Sequence, residues 1–367
     1  MSSALDLMTL DSAGIAELIE KLSWPHYRAE QLLHWIYQRR LTDITAMTDL
    51  SKADRARLAE CACISSLMPD SIRNTEDGTQ KFVFALEDRK SIETVVIPDE
   101  ERLTVCLSTQ VGCTLDCAFC LTGRMGLLRN LKAHEIVGQV LAVQRELSRL
   151  GHRRLTNVVL MGMGEPLANI EAVEEAIRRL TDTTWGIGFS PRRITLSTAG
   201  LATRLARVAN LGVNLAVSLN ATTDAQRSRL MPAVNRAYPL DMLMKACRTF
   251  PLKPRRRLTF EYVLLEGEND TERDAVRLAM LTKGIRCKIN LIPFNEFPGS
   301  GFRRPSDHVV LRFQAVLDRH DIAAYIRKSK GREILGACGQ LGTLPGSLPL
   351  QLERPATRAG FLNPVSS

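Results

Sequence analysis

Apolar residues return at helical spacing over 12–22, 24–40 and 52–62, so the chain opens with three predicted helices. In the second, Trp24, Tyr27, Leu32, Trp35 and Ile36 stand among several basic residues. That mixture suits a helix with an aromatic core face and a solvated basic face. It suits equally a small helical nucleic-acid module. KFVFALE (81–87) and SIETVVIP (91–98) then alternate as two short strands around a turn. Residues 1–90 are accordingly expected to form an N-terminal helical unit with a short β extension.

Beyond it the pattern changes to an alternation. Strand-like runs at 103–108, 158–161, 193–198, 213–219, 258–264, 286–292 and 322–327 are separated by helical patterns near 132–150, 170–180, 200–210, 240–249, 270–283 and 306–319. Repeated βα units predict a parallel sheet with right-handed crossovers. About six units fall short of an eight-fold barrel. The expected fold class is therefore α/β, an open partial (β/α)6 barrel over residues 91–341. No internal repeat is present. Residues 342–367 are rich in Pro, Gly and Ser and are expected to form a loosely ordered tail.

Composition narrows the setting. The 367 residues are 45% hydrophobic and 24% charged, which suits a soluble globular protein. No apolar run approaches the ~20 residues of a membrane helix, and the first residues lack a basic leader with an apolar core. The expected address is the cytoplasm, with no membrane partner. The formal net charge of +9 points to a polyanion such as RNA, or to nothing beyond a high-pI soluble protein. Nine cysteines are present, and three of them fall within the eight residues 113–120. Such clustering reads as metal binding or catalysis before structural bridging.

The triplet is Cys113, Cys117 and Cys120, spaced C-x3-C-x2-C after the first barrel strand. Electron-transfer ferredoxins fill all four irons of a four-iron, four-sulfur (4Fe-4S) cluster with cysteine. Three cysteines leave one iron open for the amino and carboxylate groups of a methionine derivative. Reduction then splits a carbon–sulfur bond and releases a 5′-deoxyadenosyl radical. The alternative is a zinc site completed by a fourth ligand such as Cys106, although zinc motifs come as paired knuckles and no second knuckle follows.

Chemistry in a (β/α) barrel gathers at the C-terminal strand ends. There the chain carries Gly162-Met163-Gly164-Glu165-Pro166, then Ser197 and Thr198, then Ser218, Leu219 and Asn220, then Pro293, Phe294 and Asn295. Singly these are ordinary turn and cap residues. Together on one face with the cysteine loop they suit ribose, adenine or an amino acid.

The blocks QVGCTLDCAFCLTG, VVLMGMGEPLANI, LMPAVNRAYPL, FEYVLLEGEND, INLIPFNEFPGS and GACGQL occur in that order, preceded by HYRAEQLLHWIYQRRLTDITAMTDLSK. On these blocks the chain resembles the radical S-adenosylmethionine (SAM) RNA methyltransferases of the RlmN type, over nearly its whole length. The resemblance implies a radical SAM barrel with an RNA-binding accessory domain. It implies methylation of C2 of an adenosine in 23S rRNA and, in many members, in tRNA. C2 is electron-poor and has no lone pair, so it cannot attack the SAM methyl directly. The family's answer uses two SAM molecules per methylation, a 4Fe-4S cluster, and an electron donor such as flavodoxin or ferredoxin. A monomer is expected.

Residue by residue, the resemblance makes Cys113, Cys117 and Cys120 the cluster ligands. Cys338 matches the cysteine that first accepts a methyl group. Cys106 matches the cysteine that resolves the protein–RNA adduct, leaving a Cys106–Cys338 disulfide to be reduced before the next turnover. Glu93 matches the family's proton acceptor. Gly164, Glu165, Ser197, Ser218, Leu219, Asn220 and Asn295 match its SAM contacts. Asn220 stands where the family usually has histidine, and LTGRMGLLRNL lacks an aromatic residue common after the second glycine. The C8-specific Cfr-like enzymes share the cysteines and the TGxxGL pattern, whereas Gly-Glu-Pro and Ile-Pro-Phe-Asn lean toward C2. Cys61, Cys63, Cys247 and Cys287 match no motif.

Overall fold

The computed structural model describes residues 4–151 and 154–342, so the expected tail lies outside the described residues except for Gly342. The N-terminal part runs β1 (Leu5–Asp6), α1 (Ser12–Lys21), α2 (Tyr27–Tyr37), α3 (Lys52–Cys61) and β2 (Ala62–Cys63), with β1 pairing parallel to β2. Asp11 and Ser51 cap α1 and α3 by accepting from Gly14 N and Asp54 N. The second helix begins at Tyr27 rather than at 24. Trp24 N still donates to Ile19 O at 3.0 Å, and Ser23 turns the chain through a left-handed φ of 58°.

Next come β3 (Pro69–Asn74), β4 (Gln80–Ala85), β5 (Ser91–Asp99), β6 (Arg102–Cys106), β7 (Gln110–Gly112), α4 (Leu121–Arg124), β8 (Leu127–Asn130) and α5 (Ala133–Arg149). The βα alternation follows as β9 (Asn157–Leu160), α6 (Ile170–Thr181), β10 (Ile194–Thr198), α7 (Leu205–Leu211) and β11 (Asn214–Ser218). Three helices, α8 (Asp224–Leu230), α9 (Pro232–Ala237) and α10 (Leu240–Thr249), lead to β12 (Leu258–Leu264). The series closes with α11 (Glu272–Thr282), β13 (Cys287–Pro293), α12 (Asp307–Arg319) and β14 (Ala324–Ile326).

Among the described residues one sheet dominates, ten strands in the order β14-β13-β12-β11-β10-β9-β6-β5-β4-β3. Neighbours from β6 to β14 pair parallel, while β6, β5, β4 and β3 pair antiparallel. This is the expected partial barrel of parallel strands. The strands expected as a β extension of the N-terminal unit run on from it as one continuous sheet. Pro69 opens the edge strand β3, where a missing N–H costs no ladder bond. Strands β11 and β12 are buried along most of their length, as parallel strands covered on both faces must be.

One buried cation fastens the N-terminal helices to the barrel. Arg179 on α6 pairs with Glu175 at 2.7 Å and donates to Met8 O at 2.7 Å and Tyr37 Oη at 3.2 Å. Arg179→Ala is expected to destabilise the protein by about 3 kcal/mol, since it leaves Met8 O and Tyr37 without this donor and Glu175 with the exposed Arg178 alone. Urea unfolding measures this; a change within the scatter of surface substitutions would contradict the role.

Candidate active site at the C-terminal strand ends

The cysteine loop is shaped by backbone that only glycine permits. After β6, Thr109 N and Gln110 N donate to Met163 O, laying the chain across the end of β9. The β7–β8 hairpin then brings Cys113 N to Gly126 O at 3.0 Å. Gly112 has φ 77°, and a Cβ there would stand 1.8 Å from Gly126 O. A Cβ on Gly123 would stand 2.9 Å from Cys117 N, so α4 packs directly on the loop.

The three sulfurs lie close enough that the charges of Cys113 and Cys120 both bear on Cys117. Burial pushes the Cys113 thiol up to about 12 and raises Cys117 and Cys120 as well. The surroundings oppose this. Thr114 N–H and Leu115 N–H point at Cys113, Thr122 and Gly123 at Cys120, and the buried Arg227 guanidinium attracts charge on Cys117. Thiols held in a half-buried pocket ringed by donors suit thiolates bound to metal. Among the described residues no three His, Cys, Asp or Glu side chains converge as ligands of a single ion. Cluster cysteines, by contrast, each hold a different iron.

Around the loop stand the strand-end residues. Gly164 has φ 100°, and a Cβ on it would meet the Gln110 side chain at 2.5 Å. Glu165 is buried, accepting from Leu167 N at 2.9 Å and Ala199 N at 2.7 Å. It thereby ties the end of β9 to the end of β10, and burial raises its carboxyl above the usual range. Ser197 and Ser218 end β10 and β11, and their hydroxyls make no hydrogen bond among the described residues. Leu219 is fully buried and donates its N–H to Glu261 O.

Two asparagines differ in what they leave free. Asn220, at φ 56°, accepts from Val263 N at 2.9 Å and turns its amide toward Met231 Sδ, so its side chain braces β12. Asn295 donates to Cys338 O at 3.2 Å, but its buried Oδ1 has no partner. An orphaned acceptor here costs about 1–3 kcal/mol until a donor arrives, and a nucleoside hydroxyl or amine is such a donor. The donor set and this acceptor fit a cluster with bound SAM.

The carboxy-terminal loop completes the site. Leu121 N donates to Gly339 O at 2.8 Å and Thr122 Oγ1 to Leu341 O at 2.6 Å, fixing the Cys338 loop to α4. Cys338 is solvent-accessible on one side, yet the protein around it is dense enough to push its thiol up to about 11. Charge on Cys338 raises the buried Cys106 thiol, which receives the Met161 N–H. All nine cysteines are free, so the expected Cys106–Cys338 disulfide is not formed in this structure; the two stand as thiols.

Glu93 on β5 is buried. It pairs with Lys81 of β4 at 3.2 Å and accepts from Gly342 N at 3.0 Å. Burial raises the carboxyl, and Lys81 is the strongest opposing influence. Lys81 also donates to Leu335 O at 3.3 Å, so the ion pair holds both ends of the Cys338 loop. Sequence reading missed Lys81 and Arg227. The alternation in KFVFALE was a usable signal for Lys81, since positions 81 and 93 are diagonal neighbours across the β4–β5 ladder.

Comparison with known proteins agrees with this geometry. The Radical SAM superfamily matches residues 107–279, and the ribosomal RNA large subunit methyltransferase N-terminal domain matches residues 5–64. The crystal structure of a radical SAM methyltransferase from Sphaerobacter thermophilus superposes with a TM-score of 0.87 at 45% identity, covering 92% of this chain and 99% of that one. Fold and site together define a radical SAM protein. Dual-specificity RNA methyltransferases RlmN from Syntrophotalea carbinolica and Syntrophobacter fumaroxidans are 47% and 49% identical, covering 95% and 89% of this chain and 92% and 95% of their own. The chain belongs to the RlmN family.

Gly164→Ala is expected to weaken SAM binding at least about tenfold. The substitution adds a strained φ and displaces Gln110, worth about 1.4 kcal/mol or more. Equilibrium dialysis of the reconstituted protein measures this; wild-type affinity would contradict the close approach.

Proposed function

We propose that the protein methylates C2 of an adenosine in 23S rRNA and in tRNA, with Cys338 as the carbon carrier. The observation that carries this reading is the placement of Cys338: its loop is bonded to the helix behind the cysteine triplet, and its thiol is coupled to Cys106. The relatives' names supply the RNA substrates, and the net charge of +9 suits them. Residues 1–90 serve as the RNA-facing accessory unit and 91–341 as the radical core, in a cytoplasmic monomer fed by a flavodoxin or ferredoxin. Among the described residues no helix is long and apolar enough to cross a membrane.

Cys113, Cys117 and Cys120 would hold a 4Fe-4S cluster. When bound, it supplies the electron that splits SAM into methionine and a 5′-deoxyadenosyl radical. The protein's own groups do the rest. The Cys338 thiolate attacks the methyl of a first SAM, S-adenosylhomocysteine leaves, and Arg327 favours the charged form of the thiol against burial. The methyl carbon on Cys338 gives a hydrogen atom to the 5′-deoxyadenosyl radical, which leaves as 5′-deoxyadenosine, and the sulfur holds the resulting carbon radical against the adenine, so its bond to C2 forms at a fixed place. Glu93 takes the proton from C2, held by Lys81 and Gly342 N. Cys106 attacks the Cys338 sulfur, the sulfur–carbon bond breaks, and the released carbon takes up a proton to become the methyl group of the freed base. The resulting disulfide needs two electrons from the donor. Gly164, Glu165, Ser197, Ser218, Leu219 and Asn295 line the SAM site, and Asn220 shapes it from behind.

Two variants test the carrier. Cys338→Ala should cleave SAM yet leave RNA unmethylated, and full activity would refute the assignment. Cys106→Ala should accumulate a covalent protein–RNA adduct, visible as a band shifted on denaturing gels and lost with nuclease. Free methylated RNA at the normal rate would count against it.

Lys81→Met tests the proton acceptor. Lys81 holds the buried Glu93 carboxyl down, so its loss raises that carboxyl further, and the charged base is reached only at higher pH. The acidic-side limb of methylation should move up by about one pH unit or more. An unmoved pH profile would contradict the pairing.

A further inference from the structure

Most arginines near the core are matched with carboxylates. Arg129 pairs with Asp88 and Glu135, Arg179 with Glu175, and Arg207 with Glu171 and Glu174. Three are not. Arg40 follows α2, Arg145 lies on α5, and Arg154 precedes β9; among the described residues none of them has an ion-pair partner.

The charges nearest to these arginines are one another. Arg40 is lowered first by burial and then by the charge of Arg154, and Arg145 is pushed down to about 10 by burial and then by Arg40. No carboxylate contributes to either. Arg40 is also held at a left-handed φ of 58°, which costs roughly 1 kcal/mol or more in a residue with a Cβ.

A cavity of about 190 Å³ opens between Arg40 and Arg154. Gln38, Arg40, Gln144 and Arg154 line it together with Leu155 and Phe189, and no Asp or Glu does. Arg40 Nη1 reaches Gln144 Oε1 at 3.4 Å, a neutral partner, and Gln38 is spent on Gly186 O. Arg145 is anchored to Ser66 Oγ and Leu67 O. The Arg154 side chain is exposed and makes no hydrogen bond among the described residues. Converging guanidinium forks with free donors and no counter-charge match the oxygens of a phosphate.

The cavity lies at the opposite end of the strands from the cysteine loop. Leu155 and Phe189 precede β9 and β10, whereas the cysteine loop and Glu165 follow the other strand ends. Strand β9 alone separates the two by roughly 13 Å, at about 3.3 Å per residue. Only a long polyanion can occupy both ends at once.

We propose that Arg40 and Arg154, with the charge of Arg145 behind them, form an anchor for the phosphodiester backbone of the substrate RNA, a strand length from the reacting adenosine. The anchor lies between the N-terminal helices and the barrel, so RNA bridges both. This rests on the RNA-methyltransferase reading above.

The test uses the reconstituted holoenzyme and an unmodified transcript of large-subunit RNA. Affinity is measured across a salt series, with methylation and RNA-free SAM cleavage alongside. Arg40→Gln with Arg154→Gln should weaken binding about tenfold and flatten the log Kd against log salt slope by about 2, one for each lost phosphate contact. Turnover at saturating RNA should hold. Gln144→Glu supplies the missing carboxylate beside Arg40. It should leave thermal stability equal or higher while weakening RNA binding, an outcome that a purely structural role would not give. If the wild type methylates RNA and the folded variants keep its Kd and slope, the anchor is wrong and the function stands. If the wild type neither binds nor methylates RNA, the function is wrong and the anchor falls with it.

Discussion

Two hydrogen bonds tie the end of the described chain to its middle: Leu121 N to Gly339 O and Thr122 Oγ1 to Leu341 O. They join residues more than two hundred positions apart and set the Cys338 loop on the helix that directly follows Cys120. The rest of the site depends on this closure. Without it Asn295 loses the Cys338 carbonyl, Glu93 loses Gly342 N, and Lys81 holds nothing at Leu335. Carbon transfer through a cysteine demands such a constraint, because the sulfur must meet SAM, the adenine and Cys106 in turn. Fixing the loop at several points removes the orientational freedom each encounter would otherwise have to overcome.

Glycine and buried charge do complementary work around that loop. Gly112, Gly123 and Gly164 let main chain approach main chain where any Cβ would collide. Charged groups then lock what the glycines allow. Glu165 spans β9 and β10, and Arg227 donates to Ala199 O at 2.6 Å and Tyr238 O at 2.9 Å while its charge reaches Cys117. Burying these ions is costly, so each is hydrogen-bonded on several sides. On the far end of the strands the same residue type is left uncompensated, which is why the Arg40 cluster stands out from the paired arginines.

The regular elements were legible in the sequence because their cause is local. Period-two and helical patterns placed seven parallel strands and their crossover helices within a few residues, and C-x3-C-x2-C with the GACGQL block marked the cysteines in the sequence. What escaped is non-local. Lys81 finds Leu335 across 254 positions, and no spacing announces that. Asn220 also accepts from Val263 N at φ 56°, a brace to β12 that no motif announces. The continuity of β3 and β4 with the barrel sheet was equally hidden, since strand pairing across a turn does not say which sheet the pair will join.

The central claim is that a carbon carried on Cys338 ends on C2 of an adenosine in RNA. Mass spectrometry of digested 23S rRNA and tRNA, from cells with the gene and cells without it, tests this directly. The account expects 2-methyladenosine in the first and its loss in the second. An 8-methyl product, or 2-methyladenosine undiminished when the gene is absent, would contradict it.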